Sequence, residues 1–127
     1  MPVQYSVDHE QSLVRLQVTD PLHLEQIAVT IKRLLSDSEL RTGMDLLSDH
    51  SALDFTATTG LVRAISPLLV ELGERLGRFR CAVVVPRDAS YGMARMAEVF
   101  AEDGPAKVRA FRLIEEAEAW LAGPPAA

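Results

Sequence analysis

The sequence predicts an α/β domain with a mixed central sheet and the element order ββαβαβαβα. Three patterns carry that expectation. Two short runs near the start alternate apolar and polar residues with a period of two, later stretches repeat apolar residues at helical spacing, and short apolar runs separate those helical stretches.

In "VQYSVD" the alternation puts Val3, Tyr5 and Val7 on one face, which should be buried. In "LVRLQV" Val14, Leu16 and Val18 share one face while Arg15 and Gln17 share the other. "DHEQS" between the runs supplies turn chemistry, so the pair reads as an antiparallel hairpin. "TDPLHLEQIAVTIKRLLSDSEL" reads as an amphipathic helix carrying Leu24, Ile27, Ile31, Leu34 and Leu35 on one side. Asp20 is its expected cap and Pro21 suits its first turn. "MDLLSDH" is a short strand candidate. In "GLVRAISPLLVELGERLG", Leu61, Ile65, Leu68, Leu69, Leu72 and Leu76 form a helical stripe that Pro67 is expected to kink or restart.

"RFR" at 78–80 reads as a charged turn, and "RCAVVV" as a central strand covered on both faces. "DASYGMARMAEVFAED" is helical, with Asp88 as its expected cap and Met93, Met96 and Phe100 as core positions. "KVRAFR" alternates as a strand and "LIEEAEAWLA" closes the fold as a helix. The expectation is a single domain over 1–122, followed by a flexible tail at 123–127, "GPPAA".

A chain of 127 residues that is 48% hydrophobic can bury one sizeable core. With 13 Lys and Arg against 18 Asp and Glu, the net charge of −5 has the wrong sign for holding a phosphate backbone, so nucleic acid is not an expected partner. Cys81, the single cysteine, sits in an apolar run and reads as a small buried hydrophobe. "MPVQYSVDHEQ" carries charge where a signal peptide needs an unbroken apolar stretch. No segment approaches the ~20 apolar residues of a membrane span, so a cytoplasmic protein is expected.

In mixed sheets of this kind ligands bind beyond the carboxyl ends of the parallel strands, which singles out "SDHSALDFTATTG" and "PRDASYG". Thr58, Thr59 and Gly60 open the second helix. A phosphate there would meet free backbone N–H groups and the positive end of the helix dipole. The simpler reading, and the preferred one, is a cap: a threonine oxygen at Thr56 or Thr58 satisfies one of those donors without any ligand. Asp45, Asp49, His50 and Asp54 match no metal-binding spacing. Asp45 begins a strand, and the other three suit solvated turns. Asp49, His50 and Asp54 nevertheless join Tyr91 and Arg95, four positions apart on the third helix, as a candidate partner or ligand surface.

Glu115 and Glu116, like Glu102 and Asp103, read as solubilising charge. No nucleophile elbow, phosphate-binding glycine loop or metalloprotease motif occurs, so neither an enzyme nor a cofactor nor a metal is expected. The apolar residues Val99, Phe100, Trp120 and Leu121 near the C-terminal helices suggest a homodimer.

The element order, with Asp49 followed eight positions on by "ATTGL" (57–61), resembles the STAS domain of anti-anti-sigma factors and sulfate transporters. It resembles more closely their SpoIIAA-like relatives, also grouped with CRAL-TRIO-like proteins. The resemblance spans nearly the whole chain, and "SYGMARMAEVF" looks like a stretch common in the SpoIIAA-like group. It implies that Thr58 falls on the position phosphorylated in anti-anti-sigma factors. Two departures bear on kinase recognition: Ala57 stands where that pattern has an acidic residue, and Thr58 where it has a serine. The resemblance implies a non-catalytic protein-interaction or regulatory module, modulated at the start of its second helix. The alternative it implies is a carrier for a lipid or other small apolar ligand.

Overall fold

A computed structural model describes residues 3–21, 23–53 and 58–124. The two alternating runs form β1 (Val3–Asp8) and β2 (Leu13–Val18), paired antiparallel with Val3 opposite Val18 and Val7 opposite Val14. The turn between them is held where the Asp8 carboxylate accepts the Gln11 N–H at 3.1 Å. The chain continues as α1 (Leu24–Leu35), β3 (Asp45–Asp49), α2 (Thr59–Leu76), β4 (Phe79–Val84), α3 (Asp88–Phe100), β5 (Ala106–Phe111) and α4 (Ile114–Ala122). The order is ββαβαβαβα, as expected, in one five-stranded sheet ordered β1-β2-β3-β4-β5, with β2 to β5 parallel.

The layering follows from connection handedness. Each parallel strand is added on the same side of the one before it, so right-handed crossovers place α1, α2 and α3 together on one face. There Ile31, Leu34, Leu72 and Leu76 bury against Val14, Leu16, Leu46 and Cys81. α4 covers the opposite face, where Ala117 packs with Leu13, Leu47, Ala82 and Val84. This two-sided burial is why "RCAVVV" lacks alternation: Cys81 faces one layer while Ala82 and Val84 face the other. Cys81 is buried as expected, and burial pushes its thiol up to about 12.

Several local expectations are corrected. α1 begins at Leu24 after His23, not after Asp20 with Pro21 in its first turn. Asp20, Pro21, His23, Leu24 and Glu25 are exposed, so an extra helical turn would gain no burial from these residues. α2 does not restart at Pro67 but runs as one helix through it. Its stripe is buried on both sides of the proline, at Val62 before it and at Leu72 and Leu76 after it, which offsets the missing backbone donor. Asp88 is the first residue of α3 rather than its cap, and its carboxylate pairs with Arg112.

"RFR" is no charged turn. Phe79 starts β4 and is buried, and the Arg80 side chain is buried with it. The Arg80 guanidinium donates to the Asp45 carboxylate at 2.8 and 3.1 Å. It also donates to the carbonyls of Trp120 at 3.0 Å, Leu121 at 2.8 Å, Gly123 at 3.1 Å and Pro124 at 3.2 Å. A charge can be buried there because every direction of the planar fork meets an acceptor. The same contacts tie residues 123 and 124 of the expected tail to Arg80 on β4. Trp120 and Leu121, taken from sequence as surplus apolar surface, pack against the second core cluster instead, and Val99 stays exposed.

Candidate functional site

The carboxyl ends of β3, β4 and β5 and the starts of α2 and α3 share one end of the sheet. Thr58 is the N-cap of α2: its backbone is extended and its Oγ1 accepts the Leu61 N–H at 3.1 Å. Its carbonyl accepts the Val62 N–H at 3.0 Å. The N–H groups of Thr59 and Gly60 have no partner among the described residues, and the first turn of α2 contains no acidic side chain. Thr58, Thr59 and Gly60 are all exposed. Asp54, Thr56 and Ala57 lie outside the described residues.

The aspartates of the preceding segment turn to separate partners. Asp45 binds Arg80 across the sheet, and Asp49 accepts the Ser51 N–H at 2.9 Å and the Ser51 hydroxyl at 2.6 Å. His50 is not the solvated turn residue the sequence suggests. Its N–H donates to the Val84 carbonyl at 3.0 Å, extending the β3–β4 ladder by one residue. Its Nε2 lies 2.7 Å from the Ser48 Oγ, on the face covered by α1 to α3. Burial pushes the imidazole down to about 4 against the opposing pull of Asp49, so it is neutral near pH 7.

Ser48 escaped the sequence reading. The signal that could have found it is positional: it shares a strand face with Leu46, and across the sheet it aligns with Leu16 and Val83 in an otherwise apolar row. An apolar residue would fill that position better, so a hydroxyl there asks for a partner. The pair borders a cavity of about 150 Å³ between the sheet and the three helices.

Tyr91 and Arg95 do come together. The cation over the Tyr91 ring is Arg112, 4.5 Å from its centroid. Arg95 is held by the Tyr91 hydroxyl and by Glu98, whose carboxylate is 3.5 Å away, and both raise its pKa. The two residues line a groove of about 510 Å³ along the edge strand β5, with Lys107, Arg109, Arg112, Glu98 and Glu116. Four cations against two carboxylates line this groove, and with Asp88 pairing Arg112 beside it the balance is still one positive charge on a chain of net charge −5.

No helix among the described residues is long and apolar enough to cross a membrane. No family model and no curated protein sequence matches the chain. A solved structure does: an uncharacterised protein of the DUF3478 family from Shewanella loihica PV-4, described as having a SpoIIAA-like fold. It superposes with a TM-score of 0.60 at 17% identity, covering 94% of this chain and 93% of that one. The sheet order, the layering and this superposition agree that the chain has a SpoIIAA-like fold.

Proposed function

We propose that the chain is a non-catalytic STAS-like interaction module that presents the start of α2 to a protein partner. The observation that carries this reading is the exposed Thr58–Gly60 turn, whose two N–H donors have no partner among the described residues and whose first turn carries no acidic side chain. Such a helix start complements a carboxylate or phosphate, and the basic groove beside Tyr91 and Arg95 favours the same acidic kind of partner. Phosphorylation of Thr58 would add roughly −1.5 to −2 charge at that contact and so reverse its preference.

Catalysis is a poorer reading of the same site. Ser48 and His50 have the spacing of a nucleophile and its base, but an imidazole held near 4 is a weak base at neutral pH. The nearby Asp49 carboxylate is turned to Ser51 rather than to the ring. A lipid carrier fits poorly as well, since about 150 Å³ is half the ~300 Å³ at which drug-sized ligand pockets begin.

The test is a photocrosslinking amino acid placed at Thr59 in the native cells, with Glu115 on the opposite face as the control position. A discrete adduct from Thr59, absent from Glu115 and lost in Thr58→Asp, is the expected result. The same adducts from both positions would refute the proposal.

A further inference from the structure

The core is incompletely filled where the three crossover helices meet the sheet. The cavity lies between Leu46, Cys81 and Val83 on the strands and Ile27, Ile65 and Ala94 on the helices. A cavity of about 150 Å³ with such walls is of the size that accepts a molecule like benzene. It differs from a plain packing defect at one place on the sheet, where Ser48 and His50 stand 2.7 Å apart at its border. Other hydroxyls on the border, from Thr30, Ser66 and Ser90, belong to the helices, and that of Thr30 donates back to the Gln26 carbonyl at 2.8 Å.

The Ser48–His50 pair is chemically adaptable. A neutral imidazole has one N–H and one lone pair, and the hydroxyl has one proton. If the serine donates to Nε2, its oxygen is left with lone pairs to accept from a third group. If Nε2 carries the proton and donates to the serine, the hydroxyl proton is left to be given away. Either tautomer offers the cavity one further hydrogen bond. An ion would find no counter-charge among the aliphatic walls.

We propose that this cavity is a binding site for a compact, neutral molecule of about benzene's size that carries one hydrogen-bonding group, as a phenol or a small cyclic alcohol or ketone does, with its polar atom on Ser48 and His50. The hydrocarbon ring fills the void left by Leu46, Val83 and Ile65, and the polar atom completes the pair. The site is separate from the exposed helix start proposed for the partner, and its occupancy can be measured without one.

Phenol, benzene, benzoate and palmitate serve as probes, read by methyl chemical shifts in the full-length protein. Phenol is expected to bind saturably at one site, moving the methyls of Leu46, Val83 and Ile65. Ser48→Ala should weaken phenol about tenfold, which is the loss of one hydrogen bond worth about 1.4 kcal/mol, and leave benzene within about twofold. Ala94→Leu, which fills the cavity from α3, should abolish both. Should that variant fail to fold, Ala97→Met at a half-buried position lining the same cavity replaces it. Phenol shifts that never saturate, or binding that survives cavity filling, would overturn the site. Equal loss of phenol and benzene in Ser48→Ala, or no loss of either, would overturn the polar contact. Benzoate binding as tightly as phenol would overturn the neutral ligand class, and palmitate binding more tightly would replace it with a lipid.

Discussion

Replacing Arg80 with methionine tests whether one buried cation organises the junction between the sheet and the end of the chain. The substitution keeps most of the side chain's length and removes all of its donors. The Asp45 carboxylate, 17% exposed, loses its ion pair but still accepts the Arg80 backbone N–H at 2.8 Å. Four carbonyls at the end of α4 lose a donor, although those near the surface can bond to water. Breaking a buried pair from one side costs about 3–5 kcal/mol, and the retained backbone bond puts this case at the lower end, about 3 kcal/mol. At about 2.1 cal/mol/K of unfolding entropy per residue, that lowers Tm by about 10 °C for a chain of 127 residues. Urea denaturation read by circular dichroism measures the change. If the ion pair is the cause, Arg80→Met and Asp45→Asn together should cost at least ~1 kcal/mol less than the sum of the two alone. A single variant within about 0.5 kcal/mol of the natural chain, or strictly additive losses, would refute the account.

Thr58→Ala should cost about 1 kcal/mol, whereas Thr58→Ser and Thr58→Asp should melt close to the natural chain, because each keeps an oxygen for the Leu61 N–H. Gly73→Ala should reverse the usual sign of a glycine-to-alanine change within a helix. The added Cβ would lie 2.6 Å from Cβ of Pro105 and closer still to its Cγ, so calorimetry should find a loss of about 1–3 kcal/mol. His50 makes stability depend on acidity with a definite sign. The unfolded chain takes a proton on this imidazole near 6.5 and the folded chain only near 4, so the contribution is complete above about 6.5 and falls away as pH drops toward 4. Urea midpoints should therefore reveal a loss of up to about 2 kcal/mol between pH 7 and pH 5 that is absent from His50→Gln; equal losses in both proteins would count against a neutral buried ring.

The strand and helix order is local information. A period of two in "LVRLQV", a helical period in "IAVTIKRLL" and a run without alternation in "RCAVVV" each reflect which faces of one element are covered, and neighbouring residues record that directly. Thr58 was legible for the same reason, because capping couples residues three apart. Other features depend on residues far apart in the chain. "RFR" resembles a surface turn until Asp45, 35 positions earlier, and the carbonyls of 120–124 surround Arg80. Asp88 resembles a cap until Arg112 draws its carboxylate away. His50 resembles turn polarity, and Ser48 goes unread, until the sheet sets Ser48 in an apolar row and three helices close over the face that both share. Sequence alone thus determined the elements, their order and the start of α2, since these arise within a few residues. Tertiary structure alone decided which charges are buried, which ring each cation covers and where the core leaves a cavity, because burial and pairing depend on what the rest of the chain brings to the same place.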